Sequence, residues 1–580
     1  MIAAVLLALA PQDVLRLERA GISVERDARV EVVGPIADVE GSGVLVVATD
    51  GVTLDLAGAE LSGNVDGREP DAFAGVGIVI RAKGVTLRNA RVSGYRVGIL
   101  AHGADGLVLE DCDVSGNFRT RLLSTPEAEN AADWLWPHAN DGHEWRTNYG
   151  AGICIESSRD VTVRRSRARD GQNGLILDRV SGAQVYDNDF SFLSGWGIAM
   201  WRSSKNVISR NALDFCVRGY SHGVYNRGQD SAGLLMFEQC SDNKILENSI
   251  THGGDGVFGF AGKEALGEVA GPEGFDCTRK GCNDNQFGDN DLSFAVAHGL
   301  EMTFSFGNHV LLNRFTENAI CGIWGGYSHE FLIEGNTFTR NGGAGYGAER
   351  GGVNIEHAKN CFVFGNRFEG NSCGVRLWWD EDAGLSSTPW AVANGAECTE
   401  NLVGWNEFHG DDLAVQVAQC ASTGLVENRF EGVGRELDHV GPELLVAGSD
   451  DAPGLRPDEV RAMRDAVLGD KRPVGARAHL AGREHILMTE WGPYDWERPL
   501  LTRVGREGGA DLWRWLGLET LQQLEARGSG VRAEIVEREG GVYVIVSGDR
   551  DGALVPYTLR AVSASGEQTR AGLLADVRWS

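Results

Sequence analysis

Asp255, His298 and Glu301 are the residues whose types and spacing point most directly to chemistry in this chain of 580 residues. Asp255 and His298 each stand immediately before a glycine, in DGVFGF and HGLEMT, and Glu301 follows His298 on the same segment. If the two segments are stacked strands, Asp255 and His298 fall ~5 Å apart, and Glu301 lies roughly 11 Å from Asp255 between Cα atoms. Side chains leaning together then bring the two carboxyls into the ~6.5–9.5 Å window of an inverting glycosidase, with His298 tuning the proton. Carboxylates so crowded cannot all ionise, which supplies a general acid beside a general base. A further carboxylate, Asp230, enters from RGYSHGVYNRGQD, a segment that also carries Arg218, Tyr220, His222, Tyr225, Asn226 and Arg227.

What would stack those segments is a repeat. Asn188, Asn211, Asn248, Asn290, Asn313, Asn336, Asn366, Asn406 and Asn428 are each followed two residues later by Phe, Leu or Ile. Gly174, Gly197, Gly299, Gly322 and Gly352 each open an alternating apolar run and precede their asparagine by one constant interval. A period of ~22 residues with short strands and no helical pattern predicts a right-handed parallel β-helix, with the asparagines stacked amide to amide at one corner. Roughly twelve turns between residues 41 and 435 are expected on this ruler.

Extra residues interrupt the ruler at 118–148, 217–231 and before Gly352, all ahead of the Gly-led strand, and at 261–282 and 381–397, behind it. Both kinds flank one sheet, which should be the floor of a groove with loops on each side. Alternation along the strand aims Asp178, Trp201, Phe237, Phe258, Phe260, Glu301, Trp324, Asn354, Glu356, Arg376 and Trp378 outward. Aromatic rings beside carboxylates and cations suit a glycan, whose C–H faces stack while its hydroxyls need polar partners. Asp255, Glu301, His298 and Asp230 are therefore the expected catalytic set. Tyr220, His222, Arg227, Trp324, Glu356, Arg376, Trp378 and Asp380 are the expected substrate-binding set. The plainer alternatives are a solvated face, Arg376 paired with Glu356, and Trp378-Trp379 as the base of a loop.

The formal net charge of −28 argues against a nucleic-acid or anionic-membrane surface. Residues 1–10, MIAAVLLALA, resemble a signal peptide and point to a periplasmic or extracellular protein. An N-terminal cap over 11–40, the β-helix over 41–435, a linker with a short helix over 436–485 and a C-terminal β-rich, sandwich-like domain over 486–580 complete the expected order. The aromatic EWGPYDW (490–496) reads as the junction between the domains, sugar binding being the other use of such rings. Of the eleven cysteines, Cys112, Cys154, Cys321 and Cys373 fall at repeat positions, so most read as buried hydrophobes. Cys277 and Cys282 are the expected disulfide in an oxidising compartment. No Cys or His spacing announces zinc.

The G-I-x-hydrophobic strand and N-x-F corner resemble the pectin-lyase-like right-handed β-helix superfamily, including its carbohydrate-binding and sugar-hydrolase repeat proteins and the periplasmic copper-maturation proteins. RGYSHGVYNRGQDSAG, THGGDG and EWGPYDW look like segments of bacterial members with a C-terminal β-rich domain. The resemblance covers residues 41 to 435 and implies an all-β fold. Polygalacturonase-type members carry an aspartate trio; Asp411-Asp412 offers the D-D pair, but the N-T-D segment is missing. The expectation is an exported carbohydrate-active enzyme on a polysaccharide or oligosaccharide, a glycoside hydrolase first. A polysaccharide lyase or uronate epimerase comes next, and a non-catalytic glycan-binding or surface-structural β-helix is the competing class. No cofactor is required, with Ca²⁺ open as the counter-ion a uronate would need.

Overall fold

The computed structural model describes residues 13–219, 228–343, 350–447, 457–517, 519–538, 541–548 and 554–574. The chain coils into a parallel β-helix. One sheet of 16 strands runs from Asp13–Leu17 to Leu445–Ala447, and the Gly-led sheet of 15 strands runs from Ile22–Val24 to Leu437–Val440. A third sheet joins from Arg314–Thr316 to Arg429–Glu431. Between residues 41 and 435 this agrees with the expected count of roughly twelve turns, and the residues before 41, expected as a cap, form further rungs. The first rungs carry the inward aliphatic residues (Val24, Val30, Leu45, Val47, Leu54 are buried) without the Gly and Asn signals that the ruler measured.

The corner asparagines form one continuous ladder. Asn188 Nδ2 donates to Asn211 Oδ1 at 2.9 Å, and the same bond recurs from Asn211 to Asn248, Asn290, Asn313, Asn336, Asn366, Asn406 and Asn428 at 2.9–3.1 Å. Each Oδ1 also accepts a main-chain N–H from the preceding rung, as Asn336 does from Asn313 at 2.8 Å. Each Nδ2 also donates to a main-chain carbonyl of the preceding rung, so a buried amide loses nothing to desolvation. Two residues after each asparagine, Phe315, Phe338, Phe368, Phe408 and Phe430 stack at 4.8–5.4 Å. Two further ladders stand where the sequence ruler saw none: Asn206–Asn243–Asn285–Asn308, and Asn318–Asn341–Asn371–Asp411.

The insertions leave this core in two groups. Ahead of the Gly-led strands, the 118–148 segment meets the segment before Ala232, with Leu135 N–H bonded to Gln229 O at 3.2 Å and Gln229 Nε2 to Ser124 Oγ at 3.3 Å. Behind them, the short helices Lys263–Leu266 and Pro389–Asn394 touch, and Asn394 Nδ2 donates to Cys277 O at 2.9 Å. The expected Cys277–Cys282 disulfide does not form. Both are free, Cys282 lying inside the solenoid, while Cys398 and Cys420 are bonded because they occupy equivalent places on successive turns, Cα atoms 4.5 Å apart.

After Leu445–Ala447 the chain turns back along the solenoid. Met463 of helix Pro457–Asp465 packs on Leu246 and Leu311, and Arg477 reaches Asp189 and Asp214 at 3.0 and 2.6 Å. Leu480, Ile486 and Met488 pack on Leu122, Phe192 and Phe215. Trp491, in EWGPYDW, lies under the guanidiniums of Arg119 and Arg121. Two antiparallel sheets then face each other through Trp513, Trp515, Val544, Tyr557 and Leu559.

Asp411 ends its ladder with a carboxylate where an amide would fit. Its Oδ1 accepts from Asn371, but Oδ2 has no hydrogen-bond partner among the described residues, and burial pushes the carboxyl up to about 6. An acid raised above its unfolded value of ~3.9 keeps a proton that the unfolded chain has lost, so stability falls as pH rises from about 4 to about 6. Asp411→Asn should therefore raise the thermal midpoint at neutral pH, by about 2 kcal/mol of stability, with the gain shrinking toward zero near pH 4. A gain of equal size at both pH values in melting experiments would assign it to the amide alone and not to the buried charge.

Candidate functional site

Two columns of outward residues run along the Gly-led sheet. Strand register places Leu100, Cys154, Ile176, Ala199, Leu235, Phe258, Glu301, Trp324, Asn354, Arg376, Gln416 and Asp438 in one line. The second line runs His102, Glu156, Asp178, Trp201, Phe237, Phe260, Thr303, and resumes with Glu356 and Trp378. Outward direction does not mean exposure. The 118–148 insertion does not wall the sheet; it lies on it. Leu135 and Trp145 bury Ile176, Trp196, Ala199, Trp201 and Phe237 in a second apolar core outside the solenoid. Trp201, Phe237 and Phe258, expected to face a sugar, are closed off there, and the accessible floor starts at the rung of Glu301.

The insertion is pinned by charge as well as by packing. His143 Nδ1 lies 2.8 Å from Asp178 Oδ2 and 3.3 Å from Glu156 Oε1, Arg146 bonds Glu156 at 2.8 Å, and Arg179 bonds Asp178 at 2.6 Å. Burial raises the Asp178 pKa although Arg179 and His143 oppose it. Arg218, which the sequence placed among the site residues, is only 2% exposed. It bonds Asp133 at 3.2 Å and Ser194 Oγ at 2.9 Å, tying two insertions together.

At the start of the accessible floor, Asp255, His298 and Glu301 each bring one polar atom within 4.8 Å of the others. They converge because Asp255 and His298 open adjacent strands, Asp255–Phe260 and His298–Thr303, and Glu301 points outward from the second. Asp255 is 3% exposed and its Oδ1 accepts the main-chain N–H of His298 at 2.9 Å. His298 Nε2 lies 3.7 Å from Glu301 Oε2, and the side chains are 12% and 21% exposed. Trp324, in the next rung, stacks on the His298 ring at 6.0 Å between centroids. The carboxylate approach is shorter than the ~6.5–9.5 Å that leaves room for a water in an inverting glycosidase, because both side chains lean along the strand toward His298. Asp230 is outside this group; its main-chain oxygen accepts from Trp196 Nε1 at 2.8 Å. Tyr220, His222 and Arg227 lie outside the described residues.

Farther along, Glu356, His357 and Asp380 form a second group within 4.8 Å. Arg376 makes no ion pair with Glu356; its charge and hydrogen bond fall on Cys373 and its charge on Asp438. Trp378 donates its indole N–H to Asn354 Oδ1 at 2.9 Å, covering that buried amide. The aspartate pair resembling polygalacturonases is divided, Asp411 being a ladder residue. His357 and Tyr327 were missed because they fall on corners, where strand alternation gives no signal. Two described clefts, one of about 540 Å³, lie at the junction of the 118–148 insertion with the C-terminal sheets, lined by Arg121, Glu490, Trp491, Arg503 and Trp513.

Comparison with known proteins places the fold. The profile of the periplasmic copper-binding protein NosD matches residues 141–258, and that of the right-handed β-helix region matches residues 268–387. No curated protein sequence matches. The A-module of a mannuronan C-5 epimerase from Azotobacter vinelandii is 15% identical over 75% of this chain and 91% of its own, with a TM-score of 0.39. The catalytic unit of an α-1,3-glucanase from Streptomyces thermodiastaticus is 12% identical over 76% and 63%, TM-score 0.34. A surface adhesin of Streptococcus pneumoniae is 11% identical over 77% and 87%, TM-score 0.30. The chain is a right-handed parallel β-helix, a fold that by itself does not choose among such activities. No described helix is long and apolar enough to cross a membrane.

The buried pair Arg218–Asp133 gives a test of the insertion's anchoring. Arg218→Met removes one partner and leaves Asp133 buried and uncompensated, so stability should drop by about 3–5 kcal/mol. Thermal melts check this, and a variant that melts like the native protein would show that the two insertions hold without the pair.

Proposed function

We propose that this protein is an exported enzyme that acts on a polysaccharide lying along the accessible part of the Gly-led sheet, with glycosidic hydrolysis as the reaction. The observation that carries the reading is the group Asp255, His298 and Glu301 at one end of that floor, with Trp324 stacked beside it. Glu301 and His298 are the members that solvent reaches, and they serve as the acid–base pair. Asp255 is a positioning residue: its carboxylate holds the main chain of His298. From Glu301 to Asp438 the column spans five rungs, about 24 Å at the usual strand spacing, which suits an oligosaccharide segment better than a single sugar. Export is supported by the apolar residues 1–10 and by the Cys398–Cys420 disulfide.

A second reading is proton abstraction from a uronate, as in a lyase or epimerase, with His298 as the base. It is favoured by Arg376, the cation three rungs from Glu301 in the same column. A panel of neutral and acidic polysaccharides, scored for new reducing ends and for the absorbance of unsaturated uronate, separates the two. Reducing ends without that absorbance are expected. Glu301→Gln should then lower turnover about 10²–10⁴-fold with an almost unchanged melting midpoint, since its side chain faces the groove. Full activity in Glu301→Gln and in His298→Gln would refute the assignment, and binding without turnover across the panel would leave a glycan-binding β-helix.

A further inference from the structure

We propose that Glu356, His357 and Asp380 form a binding site for a divalent first-row transition metal, of the Zn²⁺ kind, that fastens the 381–397 insertion to the floor of the β-helix. The three residues each offer one atom within 4.8 Å of the others. What distinguishes them from an ordinary acidic cluster is His357. Its side chain is fully buried, and its Nε2 points at Glu356 Oε1, 3.8 Å away, without a hydrogen-bond partner among the described residues. Its other ring nitrogen, Nδ1, bonds the main-chain oxygen of Ala396. A carbonyl can only accept, so Nδ1 carries the hydrogen and Nε2 presents its lone pair to the two carboxylates.

The surroundings match those of a metal ligand set. Imidazole ligands are commonly oriented by a carbonyl on the far nitrogen, and ligating carboxylates are commonly hydrogen-bonded in turn. Ala396 does the first for His357, and the Tyr327 hydroxyl does the second for Glu356. Asp380 and Ala396 bracket the insertion at its two ends, while Glu356 closes the strand Gly351–Glu356, so an ion held by all three joins loop to floor. A nitrogen ligand with two carboxylates suits zinc and its neighbours; calcium takes oxygen ligands alone. No Cys or His spacing reveals this site, because its members come from a strand end, the corner after it and the next rung. The assignment does not depend on the enzymatic reading above.

The test uses the full-length protein after dialysis against a chelator, titrated calorimetrically with Zn²⁺ and, separately, Ca²⁺, with melting midpoints recorded alongside. One equivalent of Zn²⁺ should bind and raise the midpoint, with Ca²⁺ at least tenfold weaker. His357→Gln should abolish that equivalent. Because a buried substitution can unfold the chain, Asp380→Asn, at an exposed position, is the second variant, and it should weaken Zn²⁺ at least tenfold while keeping the metal-free midpoint. Tyr327→Phe should weaken it about tenfold through the loosened carboxylate. Absence of a Zn²⁺ equivalent in the native chain, preference for Ca²⁺, or unchanged Zn²⁺ affinity in folded Asp380→Asn would each overturn the proposal.

Discussion

The stacked amides of the corner asparagines set the geometry on which the rest of the molecule depends. A primary amide has two donors and an acceptor with two lone pairs, and in the interior all must be used. In this ladder they are used by the turn before and the turn after: Asn211 Nδ2 donates to Val185 O and to Asn248 Oδ1, and its Oδ1 accepts from the main-chain N–H and the side-chain amide of Asn188. A turn that slipped by one residue would orphan several buried groups at once. Extra residues therefore cannot be absorbed into a turn and must leave at its corners. Asn211 and Asn248, or Asn366 and Asn406, are bonded neighbours despite separations of 37 and 40 residues, and the surplus becomes the loops that flank the candidate site.

Those loops do two different things. The 118–148 segment covers the sheet and converts half of its outer face into a second core, held by Trp145, the Asp178–His143–Glu156 group and the Arg218–Asp133 pair. The segments behind the strands pack against each other around Trp390, Phe304 and Phe306 and leave the floor beside them accessible. The solvent-accessible stretch of the sheet begins where the cover stops, and Asp255, His298 and Glu301 stand at that edge. The segment from Pro457 onward adds a third constraint by running back over Asp187, Asp189 and Asp214, where the Arg477 and Arg169 guanidiniums hold the Asp189 carboxyl down at about 2 despite its burial. It delivers the C-terminal sheets to the covering insertion, with Arg503 on Glu127.

The repeat was legible because its signals are local: an asparagine with an aromatic or aliphatic two places on, a glycine opening an alternating strand, and a near-constant interval between them. The same arithmetic brought Asp255, His298 and Glu301 onto neighbouring turns, since register along a parallel stack follows from spacing alone. It failed where turns lack those signals, as with the first rungs through Val24 and Leu45, and it missed the ladders of Asn206 and Asn318, although their members stand at one constant offset before or after the corner asparagines and Asn206, Asn243, Asn285 and Asn308 each have an apolar residue two places on.

By itself, then, the sequence determined the solenoid, its register, the inward and outward alternation and the places where loops must emerge, because each follows from chain-local periodicity and from the need to satisfy buried amides. Only the tertiary structure decided which outward residues see solvent. Trp201 and Phe237 obey the same alternation as Trp324, yet one loop buries them while Trp324 stays partly exposed. The separation of the Asp255 and Glu301 carboxylates, the disulfide partner of Cys398, the burial of Arg218 and the facing of the buried His357 Nε2 toward Glu356 were likewise decided by packing between segments far apart in the chain, where spacing carries no information about direction or distance.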